Sequence, residues 1–122
     1  MPHIIFTGKV DLMAAWKAFG PQVINKDNWI TKVSDAFLNA SQTVLLFEAT
    51  AVYRGVTHNF YVRAETKHGQ QLTVRIEPRT NVEKNDGVKR AVVLVGRFLQ
   101  SVASELKMEK SNLPVDMLKD LQ

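Results

Sequence analysis

Val88-Lys89-Arg90-Ala91-Val92-Val93-Leu94-Val95-Gly96-Arg97-Phe98-Leu99-Gln100-Ser101-Val102-Ala103-Ser104-Glu105-Leu106 decides the architecture of this chain. Val88, Val92, Val95, Leu99, Val102 and Leu106 recur at alternating steps of four and three, which places them on one stripe of an α-helix. Ala91, Phe98 and Ala103 widen the stripe. Lys89, Arg90, Gln100, Ser104 and Lys107 fall on the opposite side. A helix this apolar along one face must lie across another element, and the strand-like sequence before it supplies the only large candidate.

Those strands are legible from pattern and turns. Thr43 to Tyr53 alternates with Leu45, Phe47, Ala49, Ala51 and Tyr53 on one face. Arg54-Gly55 reads as a tight turn. Val56 to Thr66 continues with Val56, His58, Phe60, Val62 and Ala64. The turn pairs Tyr53 with Val56 and Phe47 with Val62, so the two apolar rows coincide. Lys67-His68-Gly69 reads as a three-residue hairpin turn with glycine at a left-handed position. Leu72, Val74 and Ile76 then carry on the same core face, and Pro78 ends the strand. Turn chemistry and face pattern agree over three strands, which makes this the firmest part of the reading.

Towards the N-terminus, His3 to Lys9 is β-rich, with Ile4 and Phe6 on one side. Asp11 is a good N-cap for a short helix presenting Leu12, Ala15, Trp16 and Phe19, closed by Gly20-Pro21. Val23 to Lys26 reads as a connector. Trp29 to Leu38 is either a helix capped by Asp27 or Asn28, or a strand; Trp, Ile, Thr and Val in its first half favour the strand. Thr80-Asn81-Val82-Glu83 reads as a capping box, with Asn85-Asp86-Gly87 as a second start signal. After Met108 the sequence loosens, and Asn112-Leu113-Pro114 offers a short helix with Met117, Leu118 and Leu121.

The expected fold is α+β: a curved antiparallel sheet in the order β-α-β-β-β-β-α, with the long C-terminal helix packed across it. The layout resembles that of the TATA-box-binding protein and, more loosely, the helix-grip fold of plant lipid-binding allergens. The resemblance is one of topology and carries no functional residue. One of those folds holds DNA on its sheet and the other encloses apolar ligands, so fold alone implies no activity. Residues 1–109 are expected as one domain and 110–122 as a tail.

The chain has 122 residues, enough to bury a core without covalent staples. It has no cysteine, which removes disulfide and thiolate chemistry and makes a cytoplasmic setting the default. No signal peptide is apparent, and no apolar run approaches the roughly 20 residues of a membrane span, so no membrane partner is expected. The net charge of +4 and pI near 9.5 permit an anionic partner without demanding one.

Motifs for catalysis are missing. There is no Gly-x-Ser-x-Gly elbow and no His-Glu-x-x-His signature, and His3, His58 and His68 lack metal-ligand spacing. Neither a metal nor a cofactor is expected. Arg75, Arg79, Lys84, Lys89 and Arg90 cluster around the start of the long helix, where a solvated helix end is the plainer explanation. The outer sheet face should carry Glu48, Thr50, Asn59, Tyr61, Arg63, Glu65, Arg75 and Glu77, with Tyr61 between Glu48 and Arg75. Glu48, Asn59, Tyr61, Arg63 and Arg75 are the candidate ligand- or anion-binding set. Arg63, Arg75 and Tyr61 together suit a phosphate or a base, although the glutamates break any positive stripe.

One feature stands out. If Trp29 to Leu38 is a strand joined to the next by a four-residue turn, Phe37 pairs with Val44 and Trp29 with Val52. Trp29, Val33, Phe37, Val44, Leu46 and Val52 would then share the outer face as an apolar patch that needs a cover. A bulge near Ser34-Asp35 would return half of them to the core. The leading expectation is a small soluble interaction module, homodimeric through that patch. The alternatives are a small-molecule-binding protein or enzyme with a pocket between sheet and long helix, and a weak nucleic-acid binder on the open sheet face.

Overall fold

A computed structural model describes residues 1–26 and 29–119. Its elements in chain order are β1 (His3–Thr7), α1 (Leu12–Ala18), β2 (Gln22–Lys26), β3 (Trp29–Leu38), β4 (Val44–Tyr53), β5 (Val56–Lys67), β6 (Gln71–Ile76), α2 (Asp86–Val102), β7 (Lys107–Ser111) and α3 (Val115–Leu118). The strands form one antiparallel sheet in the order β2-β3-β4-β5-β6-β1-β7. The fold is α+β, as the pattern implied. The long helix, however, lies mid-chain rather than at the C-terminus, because the chain returns to the sheet after it. Asp27 and Asn28, the caps of the rejected helical reading, and Leu121 lie outside the described residues.

The inner face of the sheet carries the core. Leu45, Phe47, Ala49 and Ala51 of β4, Phe60, Val62 and Ala64 of β5, Leu72, Val74 and Ile76 of β6, and Ile4 and Phe6 of β1 are all buried. Against them lies the stripe Val88, Ala91, Val92, Val95, Phe98 and Leu99 of α2. Val56, expected on this face, projects into solvent at the hairpin tip. Asn85 is the N-cap, its side chain accepting from Val88 N at 2.9 Å. The earlier capping-box signal at Thr80–Glu83 forms no helix. The backbone leaves the helical region at Ala103, so Leu106 reaches the core from the following turn rather than from the helix.

Two segments read as irregular are strands. Gln22–Lys26 pairs with β3 and becomes one edge of the sheet. Lys107–Ser111 pairs with β1 and becomes the other. Both are short and polar at most positions, the usual means of discouraging further strand addition. Their single-strand patterns are weak because only one neighbour and part of one face are buried. Beyond β7, α3 forms where Asn112-Leu113-Pro114 offered a short helix, and Leu113 and Met117 insert into the core.

The first helix follows its sequence signals. Asp11 Oδ1 accepts from Ala14 N at 3.2 Å, and Leu12 and Ala15 are buried. Phe19, just past its end, meets Phe47 and Phe98 edge-on at centroid distances of 5.6 and 5.5 Å. These contacts fix α1 to the inner side of the sheet. Trp16 remains 42% exposed but anchors its indole N–H on the Ala36 carbonyl at 2.9 Å.

Candidate functional site

The outer sheet face is built by three hairpins. The β4–β5 register is the expected one, with Tyr53 opposite Val56 and Phe47 opposite Val62. Arg54 and Gly55 both have positive φ, 52° and 77°, the backbone of a two-residue hairpin turn.

The β5–β6 register differs from the expectation by two residues. His68 and Gly69 both have positive φ, and Gln70 N donates to the Lys67 carbonyl. The turn is therefore centred one residue later than Lys67-His68-Gly69, and Lys67 stays in the strand opposite Gln71. As a result Arg75 lies opposite Arg63, not Tyr61. Tyr61 keeps Glu48 on one side, as expected, and its carbonyl accepts from Glu77 N on the other.

The β3–β4 hairpin departs furthest. Leu38 pairs with Leu45 rather than Thr43. Asn39 is the cause: its side-chain oxygen accepts from the amides of Thr43 and Val44, both at 2.9 Å, and its amide nitrogen donates to the Ser41 and Thr43 hydroxyls. This widens the loop beyond four residues. Further down, the ladder skips Ser34 between Val33 and Asp35. The Asp35 carboxylate accepts from Ala36 N at 2.8 Å and holds this bulge.

The bulge divides the expected apolar patch. Trp29 and Val33 turn to the helix side, opposite Tyr53 and Ala49, and Val33 is fully packed in the core. Phe37, Val44, Leu46 and Val52 remain on the outer side. Val52, with Ile30 opposite it, is cut off from Leu46 by the rows Asp35–Glu48 and Lys32–Thr50. Thr50 donates to Asn59 Oδ1 at 2.9 Å, so Asn59 belongs to this polar divide.

What survives is a compact group at one end of the face. Phe37 is 49% exposed and Tyr61 is 38% exposed. With Val44 and Leu46 they line a shallow cavity of about 540 Å³, bordered by Arg63, Glu77, Arg79 and Thr80. Arg63 is held at its rim by two carboxylates. Its Nε donates to Glu65 at 3.2 Å and its Nη1 to Glu77 at 3.1 Å. The Glu65 contact is the main reason its pKa rises above the ordinary arginine value, against partial desolvation, with Glu77 adding to the rise. Arg63 and Arg75 are thus neighbours in the ladder, but one of the two is already satisfied.

The remaining candidates do not assemble. His58 Nε2 lies 4.0 Å from Glu83 at the inner edge of β5. Among the described residues, no group of three His, Asp or Glu side chains converges as a metal site. No described helix is long and apolar enough to cross a membrane. No family model, no curated protein and no solved structure gives a significant match to this chain.

Proposed function

We propose that this chain is a single-domain, non-catalytic interaction module of the cytoplasm that pairs with a second copy of itself through the Phe37–Leu46 end of the outer sheet face. The observation that carries the reading is the half-exposed Phe37 beside a cavity walled by Val44, Leu46 and Tyr61. A projecting aromatic ring next to a receptive hollow on the same surface suits a two-fold contact, in which each copy supplies both. Exposed aromatic side chains in a shallow apolar pocket are also the usual anchors of protein interfaces.

Charge favours a copy of the same chain over a polyanion. The outer face of β3 to β6 carries Asp35, Glu48 and Glu65 against Lys32, Arg63, Lys67 and Arg75, and Glu77 just past β6 brings the acids to four against four bases. The face is balanced although the chain as a whole carries +4. A balanced surface does not repel its own copy, and it offers a phosphate backbone little.

Sedimentation velocity over a low- to high-micromolar series tests the reading. The wild type should shift from monomer towards dimer, and Phe37→Glu should remain monomeric with an unchanged circular dichroism spectrum. A wild type that stays monomeric throughout would overturn it, as would a dimer that Phe37→Glu leaves intact.

A further inference from the structure

A second cavity, of about 440 Å³, lies on the other side of the sheet, where the β2–β3 edge, α2 and α3 meet. Its apolar lining comes from Ile24, Trp29, Val93, Leu94 and Met117, and its charged lining from Lys26, Arg90, Arg97, Lys119 and Asp116. Among the described residues, four cations face one carboxylate in a small space. The volume falls within the range of small-molecule sites, roughly 300–1,000 Å³.

The arginines are placed by the helix itself. Arg90, Val93, Leu94 and Arg97 stand at steps of three and four, so α2 presents two guanidinium groups flanking two apolar side chains on one stripe. The Arg90 guanidinium lies 4.4 Å from the centroid of the Trp29 ring. That cation–π contact holds the side chain without using its N–H donors. Arg90 Nε is buried and has no hydrogen-bond partner. Among the described residues, neither Arg90 nor Arg97 forms an ion pair. A buried guanidinium donor without an acceptor is costly, and an incoming oxyanion offsets that cost.

We infer that this cavity binds a small organic acid: a carboxylate or sulfonate held by Arg90 and Arg97, with an apolar body laid on Val93, Leu94 and Met117. The inference is independent of self-association, since the two surfaces lie on opposite faces of the sheet. Arginine suits the head group because its planar donors match two oxygens at once. The apolar floor excludes a bare inorganic anion as the best ligand, because such an ion leaves the floor wet.

The test uses the folded full chain and the fluorescent probe 8-anilinonaphthalene-1-sulfonate, with uncharged N-phenyl-1-naphthylamine as its control. The sulfonate should bind saturably, be displaced by decanoate and resist displacement by decanol. Arg90→Gln and Arg97→Gln should each weaken it about tenfold, the scale of one charge-assisted hydrogen bond, and leave the uncharged probe unaffected. Circular dichroism checks the fold of each variant, and Arg97→Gln carries the test alone if Arg90→Gln unfolds. Leu46→Glu, on the other face, should leave the binding unchanged. Absence of saturable binding overturns the inference. So does binding that survives both arginine substitutions, or binding that Leu46→Glu removes.

Discussion

The buried Thr31 hydroxyl donates a 3.0 Å hydrogen bond to the Gly87 carbonyl and so fastens β3 to the first turn of α2. Thr31 is completely inaccessible to solvent, on the inner face opposite Ala51. Its β-branched shape fits the strand, and its hydroxyl finds a partner only because the helix starts where Asn85 caps it. Thr31→Val keeps the shape and removes the donor. Stability in urea should fall by about 1 kcal/mol, the net worth of one such bond. A variant as stable as the wild type would show that the bond contributes nothing.

Leu99 is fully buried beneath the sheet. Leu99→Ala removes its transfer energy and leaves a cavity that a long helix packed across the sheet cannot close. The expected loss is about 2–5 kcal/mol. Denaturant melts that show a loss under about 0.5 kcal/mol would contradict this packing.

Two glycines differ in why they are needed. Gly69 has φ of +68° with open space around it, so a side chain meets only backbone strain. Gly69→Val should cost about 1–2 kcal/mol, the penalty of a left-handed residue. At Gly8, φ is +119° and an added Cβ would lie 2.5 Å from the Glu105 carbonyl oxygen. Gly8→Ala therefore combines strain with a backbone clash and should lower the melting temperature more than Gly69→Val does. The reverse order would mean that the segment before β7 yields easily.

Arg63 is paired with two glutamates, so its loss should be read in stability. Its partner Glu77 is only 8% exposed, and its carboxylate also accepts from the Arg79 amide at 3.4 Å. Arg63→Gln strands a mostly buried charge and should cost about 1–3 kcal/mol. The double variant Arg63→Gln, Arg75→Gln should leave the salt dependence of any oligonucleotide binding unchanged. A slope that flattens in the double variant would revive phosphate binding on this face.

Val52 separates two views of the outer face. It shares that face with Leu46, but Glu48 and Thr50 stand between them. Val52→Lys should therefore leave sedimentation close to that of the wild type, whereas Phe37→Glu should abolish the proposed association. Equal effects would mean that the contact spans the polar divide.

The parts of this fold that local chemistry controls were legible in the chain alone. The 88–99 stripe needs only the helical period. The β4–β5 hairpin needs only Arg54-Gly55 and two matching alternations, and the α1 start needs only Asp11. Edge strands β2 and β7 were missed because half of their surface faces water and their pattern is correspondingly faint. The outer-face site was half legible: Phe37, Val44, Leu46, Tyr61 and Arg63 were identified, but not which of them meet. Register decides that, and register depends on side chains that act on the backbone, as Asn39 does in widening its loop and Asp35 in holding the bulge at Ser34. A one-residue insertion reverses every later side chain in a strand, because the strand period is two. That bulge, settled where β3 pairs with β4, sent Trp29 and Val33 inward and left Phe37 outside. Tertiary packing set Trp29 under Arg90 across 61 residues of sequence, a pairing no local pattern encodes.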